Sequence, residues 1–147
     1  SDHIGAVNEI RDKYDIPLYV HELDVPMLKD GVLNMGGISV DLRKNDVVLK
    51  GGEDLTVGGI NVHVIHTPGH TPGGVCYYIK DADMLLAGDT MFRYSWGRTD
   101  FAGGSEEDLM DSIRNRLLPL PENTMVFPGH EGATCIGDER KIHGYKA

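Results

Sequence analysis

No apolar run in this sequence approaches the length of a membrane span, so a helical membrane protein is not the expected reading. Basic charge is scarce: 14 Lys and Arg stand against 23 Asp and Glu, a formal net charge of −9. With no basic stripe to displace counterions from phosphate, a nucleic-acid partner is not expected. Only two cysteines occur, Cys76 and Cys135, far apart and outside C-x-x-C spacing. That excludes a disulfide scaffold and leads us to expect reduced thiols in a cytoplasmic protein. The opening residues Ser1-Asp-His-Ile-Gly-Ala do not read as a signal peptide. Repeats, heptads and low-complexity segments are missing as well. What remains is ordinary globular composition, 40% hydrophobic and 25% charged, over 147 residues, which fits a single domain. Histidine is the residue the chain does have. Seven imidazoles in an acidic chain supply donor atoms for a borderline metal ion.

The apolar residues at 4, 7, 10 and 14 have helical spacing with one face to bury, and place Asp2 and His3 in the first turn. Residues 17–20 read as a short strand and 21–29 as a brief helix interrupted by Pro26. Residues 31–45 are weakly patterned and read as loop, with room for one short helix. From residue 46 the period becomes two. Strands are expected at 47–49, 54–57, 60–66, 74–79, 84–87 and 124–127, with Gly58-Gly59 closing a hairpin. Residues 90–104 form a long loop carrying Phe92, Trp96 and Phe101, more aromatic than a mere connection needs. Ser105 starts a helix continued by Leu109, Met110, Ile113 and Leu117, and residues 137–143 suit a final short helix. Strands in the middle, with helices at both ends and between them, give an α/β class with a mixed sheet.

Thr67-Pro-Gly-His-Thr-Pro-Gly-Gly74 sits directly after a strand. Its two Pro-Gly pairs forbid helix and ladder alike, so His70 is held between rigid turns, as a metal ligand must be. Asp89 and His130 also follow strands, and Asp2-His3 opens a helix. These are the positions where open sheets gather functional groups along one edge. Taken singly each is weak: an aspartate after a glycine is usually a turn residue. Together, three imidazoles and two carboxylates suit Zn²⁺ or a pair of first-row divalent ions. His63 and His66 have H-x-x-H spacing, but residues three apart on a strand face opposite sides, so packing or solvent roles are expected for both. His21 and His143 read as surface residues.

Asp2-His3-Ile-Gly-Ala resembles the end of the H-x-H-x-D-H signature of the metallo-β-lactamase superfamily. Thr67-Pro-Gly-His70, Leu86-Ala-Gly-Asp89 and Phe127-Pro-Gly-His130 resemble its later motifs, in the family's order. Gly97-Arg-Thr-Asp-Phe101 and Ile136-Gly-Asp-Glu-Arg140 resemble its short, glyoxalase II-like bacterial branch. The resemblance implies an αββα sandwich. It implies that Asp2, His3 and His130 ligate a second metal, that His70 ligates the first, and that Asp89 bridges both. Such a pair supplies hydroxide at neutral pH for attack on a thioester such as a hydroxyacyl-glutathione, with Asp2 placed to accept a proton. Zn²⁺ is the expected ion, with Fe²⁺ or Mn²⁺ as alternatives. Arg98 and Tyr78 are candidates for holding an anionic thiol.

The family pattern places two further histidines, and a strand unit of one sheet, ahead of Asp2; no H-x-H occurs anywhere in this chain. The expectation is therefore an N-terminally truncated version of the domain with one ion or none per chain. Its uncovered sheet would favour a homodimer or a strand-exchanged oligomer. Two alternatives accompany thioester hydrolysis. One is an iron-dependent persulfide dioxygenase, whose relatives share the Gly-Arg-Thr-Asp-Phe stretch. The other is a non-catalytic fragment that self-associates.

Overall fold

The computed structural model describes residues 2–144, which cluster as two compact units, Ser1–Lys50 and Gly51–Ala147. In the first unit, α1 (Val7–Tyr14) is followed by strand β1 (Tyr19–His21), a 3₁₀ turn, and α2 (Val25–Lys29). Strand β2 (Val47–Leu49) pairs in parallel with β1. Pro26 does not interrupt α2 but occupies its first turn, where the missing N–H costs nothing. Residues 2–6 are turns rather than the opening of α1.

The expected apolar face of α1 is overturned. Ile10 and Tyr14 are exposed and Arg11 is the buried residue of the helix. Arg11 pairs with Asp46 and donates to the carbonyl of Asp41 at 3.2 Å. Asp46 also accepts the backbone N–H groups of Leu18, at 2.8 Å, and Arg43, at 2.6 Å. Desolvation works to raise the pKa of Asp46, but these N–H groups and the charges of Arg11 and Arg43 outweigh it and hold the carboxyl below its ordinary value. His21, expected at the surface, is buried; its Nδ1 accepts from the Leu23 N–H at 3.2 Å and caps the 3₁₀ turn.

The second unit is built on six strands: β3 (Asp54–Val57), β4 (Ile60–His66), β5 (Val75–Ile79), β6 (Met84–Gly88), β9 (Met125–Pro128) and β10 (Thr134–Cys135). Their spatial order is β10-β9-β6-β5-β4-β3. All pairings are antiparallel except β6 with β9, so the sheet is mixed as expected. Gly58 and Gly59, both at positive φ, close the β3–β4 turn, which pairs Val57 with Ile60. The long aromatic loop is not wholly irregular: β7 (Met91–Phe92) and β8 (Ser95–Trp96) form a small hairpin inside it. Helix α3 (Glu106–Asp111) is capped by the Ser105 hydroxyl, which accepts from the Asp108 N–H, and continues as a π-helical turn over Ser112–Leu117. Helix α4 (Ile136–Ile142) ends the described structure.

Alternation on the sheet sends Cys76, Tyr78, Leu85, Ala87 and Val126 to one side, where they pack with Leu109, Ile113, Leu117 and Leu118. On the opposite side Leu86 and Phe127 are cross-strand partners, 40% and 39% exposed, beside Met125 at 43%. Among the described residues no helix is long and apolar enough to cross a membrane.

Candidate metal centre

Strands β4 and β6 run in the same direction, each antiparallel to β5 between them, and β9 runs parallel to β6. The three therefore end at one edge of the sheet, and His70, Asp89 and His130 lie in the segments that leave them. Parallel pairing carries Asp89 and His130 to matching heights: Gly88 pairs with Pro128, and the Gly129 N–H donates to the Gly88 carbonyl at 2.8 Å.

The His70 loop is pinned from several sides. The Thr67 N–H closes it onto the Gly74 carbonyl at 2.7 Å. The Ser112 hydroxyl donates to the Pro68 carbonyl at 2.8 Å, the Ser105 N–H to Gly69 at 2.8 Å, and His66 Nε2 to Pro72 at 2.9 Å. Gly69 lies at φ +138°, and a Cβ there would stand 2.4 Å from the Leu109 backbone, so the loop rests directly on α3. At its base the buried Thr67 hydroxyl lies 3.0 Å from that of Thr90, tying the segment before His70 to the one after Asp89. Thr67 is also 3.4 Å from the Cys76 sulfur. Burial raises that thiol to about 11, against the opposing effect of the two threonine hydroxyls.

At the edge, Asp89 Oδ2 lies between two imidazoles, 3.6 Å from His70 Nε2 and 3.4 Å from His130 Nε2. The Asp89 side chain is only 12% exposed, whereas that of His130 is 50% exposed. These separations are long for hydrogen bonds. They match the edges of a coordination polyhedron instead: two donors about 2.1 Å from one tetrahedral ion stand roughly 3.4 Å apart. His70 Nδ1 is 2.7 Å from the Arg98 carbonyl. A carbonyl can only accept, so Nδ1 carries the proton, and in the neutral ring Nε2 presents its lone pair toward Asp89. Each of the two His–Asp89 pairs, with this outer hydrogen bond on His70, fits one edge of the coordination shell of a divalent first-row ion.

The β7–β8 hairpin and the segment after it wall the centre. Phe92 sets its ring edge-on to His130 with centroids 5.9 Å apart, and Phe101 does the same to His70 at 5.2 Å. Gly97 is packed so closely that a Cβ there would sit 1.8 Å from the Asp89 carbonyl oxygen and 3.2 Å from His70 Nδ1. Gly97 stood in the sequence only as the first residue of the Gly97–Phe101 stretch, with no sign of this close packing, and nothing marked the Thr67–Thr90 bridge.

Asp2 and His3 belong to the first unit, in the turns before α1, both exposed, with His3 Nε2 3.7 Å from Asp2 Oδ2. Tyr78 is 8% exposed among the core residues. Arg98 is exposed, spans Asp100 with bonds of 2.6 and 2.5 Å, and lies over the Phe101 ring at 4.4 Å. Its hydrogen bonds hold the Asp100 carboxyl down at about 2. His63 pairs with exposed Asp54 at 2.8 Å, which agrees with a role outside the centre. His143, expected at the surface, instead has a side chain only 3% exposed.

Residues 1–130 match the model of the metallo-beta-lactamase superfamily. A probable metallo-hydrolase of Bacillus subtilis, YqgX, is 43% identical over 95% of this chain and 68% of its own. The hydroxyacylglutathione hydrolase GloC of Haemophilus influenzae is 30% identical over 98% of this chain and 70% of its own. Among solved structures, the BLEG-1 B3 metallo-beta-lactamase superposes with a TM-score of 0.88 at 43% identity, covering 95% of this chain and 69% of that one. TTHA1623 in a di-iron-bound form gives 0.82 at 35% identity, covering 96% and 70%. With two histidines and an aspartate converging at the strand ends where its motifs require them, the chain belongs to the metallo-beta-lactamase superfamily.

Proposed function

We propose that this protein is a metal-dependent hydrolase of thioesters, of the hydroxyacyl-glutathione kind, in which His70, Asp89 and His130 hold the metal. The observation that carries the reading is Asp89 Oδ2 flanked by His70 Nε2 at 3.6 Å and His130 Nε2 at 3.4 Å. The Gly97–Phe101 and Ile136–Arg140 stretches, and the similarity to GloC, support the thioester over other esters. Asp2 and His3 are proposed as further ligands on the strength of the family motif alone. When bound, a divalent ion supplies an activated water at neutral pH and polarises the substrate carbonyl.

The chain's own residues do the rest. The Arg98 carbonyl fixes the tautomer and aim of His70 through Nδ1. Asp89, nearly buried, brings negative charge beside each of the two imidazoles. Phe101 and Phe92 pack T-shaped against the His70 and His130 rings and help to fix their orientation. Zn²⁺ is the proposed ion and Fe²⁺ the alternative. Thiol release from S-lactoylglutathione by metal-loaded protein tests the reading. Loss of release in Asp89→Ala is expected, whereas a metal-loaded wild type without turnover refutes it.

A second reading, iron-dependent persulfide oxidation, is favoured by the Gly97-Arg-Thr-Asp-Phe101 stretch and the 26% identity to ETHE1 from Myxococcus xanthus. Oxygen uptake with glutathione persulfide, without thiol release from the thioester, selects it. We also propose that the open sheet face at Leu86, Met125 and Phe127 is covered by self-association.

A further inference from the structure

Glu139, on α4, is fully buried, and nothing in the chemistry above uses it. A buried carboxylate is costly unless its acceptor positions are filled. Here the Thr134 hydroxyl donates to Oε1 at 2.6 Å. The Tyr94 N–H reaches both oxygens at 3.2 Å. His143 Nε2 lies 3.6 Å from Oε2, and the Trp96 ring tilts against His143 at 5.8 Å. Tyr94 is the turn of the β7–β8 hairpin and sits at φ 64°, the left-handed region that a tyrosine disfavours. The hairpin and the residues just after it meet His130, Asp89 and His70. Phe92 faces His130, Gly97 abuts the Asp89 carbonyl, and the Arg98 carbonyl takes the His70 ring proton.

We propose that Glu139 is a positioning residue for the metal centre: its carboxylate holds the Tyr94 turn in place, and through that hairpin sets the aim of His70 and the seating of His130. Its consequence for metal binding rests on the metal-centre reading; the anchoring itself does not.

The test compares Glu139→Met, which keeps the volume and removes the acceptors, with Glu139→Gln, which keeps one carbonyl oxygen for Thr134 and Tyr94. Leu117→Ala is the control that loosens the core from another element. Two readouts use metal-free protein: exchange protection of the Tyr94 amide, and the NMR resonance of the His70 ring N–H. The third is affinity for Zn²⁺ by chelator competition. Glu139→Met is expected to raise Tyr94 exchange by roughly 100-fold or more while the chain stays folded. It is expected to lose the His70 resonance to solvent exchange and to weaken Zn²⁺ binding by about 10–100-fold, with Glu139→Gln recovering most of the affinity. Leu117→Ala should leave all three readouts near wild type. If Glu139→Met behaves as Leu117→Ala does, the proposal is overturned; Glu139→Leu repeats the comparison should the methionine variant not fold. If wild type holds no Zn²⁺ yet Glu139→Met still frees the Tyr94 amide and the His70 proton, the anchor stands and the metal-centre reading fails.

Discussion

Replacing Gly97 with alanine puts the account under strain at one atom. The new Cβ would lie 1.8 Å from the Asp89 carbonyl oxygen. Carbon and oxygen approach to about 3.3 Å, so roughly 1.5 Å of overlap must be relieved. Both sides of the clash are backbone, and no rotamer change can help. The adjacent Arg98 carbonyl, which holds His70 Nδ1 at 2.7 Å, must move with Gly97 or Asp89 must retreat. A displacement of about 1 Å already takes that bond past hydrogen-bonding distance. Overpacking of this kind costs about 1–3 kcal/mol and the lost bond about 1 kcal/mol more. With a tenfold or greater loss expected when an outer hydrogen bond to a ligand histidine is removed, Gly97→Ala should bind Zn²⁺ about 10–100-fold more weakly. Thermal unfolding by circular dichroism and competition against a metal-sensitive dye measure the two effects. A variant within about 0.5 kcal/mol of wild type and with unchanged affinity refutes the claim that this loop is built around His70.

Further outcomes follow from other parts of the chain. Arg11→Ala leaves Asp46 buried without its guanidinium and should cost about 3–5 kcal/mol in denaturant unfolding. Because the pKa of Asp46 is held below its ordinary value, its stabilising contribution is complete above that value, about 3.9, and disappears as pH falls through the lower folded value. Asp46→Asn should therefore flatten the acid limb of stability against pH. Cys76, raised to about 11 by burial, should resist a thiol reagent at pH 8 until the chain unfolds, with the partly exposed Cys135 reacting first; two equally fast thiols contradict the core assignment. Self-association through the open sheet face predicts a dimer or larger species by light scattering, shifted to monomer by Leu86→Lys with Phe127→Lys.

The strands β2 to β6 and β9, the Gly58-Gly59 turn and the Ser105 cap were legible because each is a local pattern, whereas the two-residue strands β7, β8 and β10 are too short to show a period. The grouping of His70, Asp89 and His130 was legible for a related reason, since each follows a strand and aligned strands end at one edge. The face of α1 was misread because apolar spacing alone favoured Ile10 and Tyr14, while the partner of the buried Arg11, Asp46, is 35 positions away. His143 was read as a surface residue for the same reason, and nothing marked Glu139. Its neighbours Glu139 and Trp96, and the partners Tyr94 and Thr134 of Glu139, are brought together from several elements. Spacing likewise says nothing of Gly97, whose necessity appears only once Asp89 and His70 stand beside it.

Anomalous diffraction from crystals grown with Zn²⁺ examines the centre most directly. The account expects a peak bonded to the Asp89 carboxylate and to Nε2 of His70 or His130, or one peak at each. No peak there at full Zn²⁺ loading, or a peak only at the remaining histidines, would contradict it.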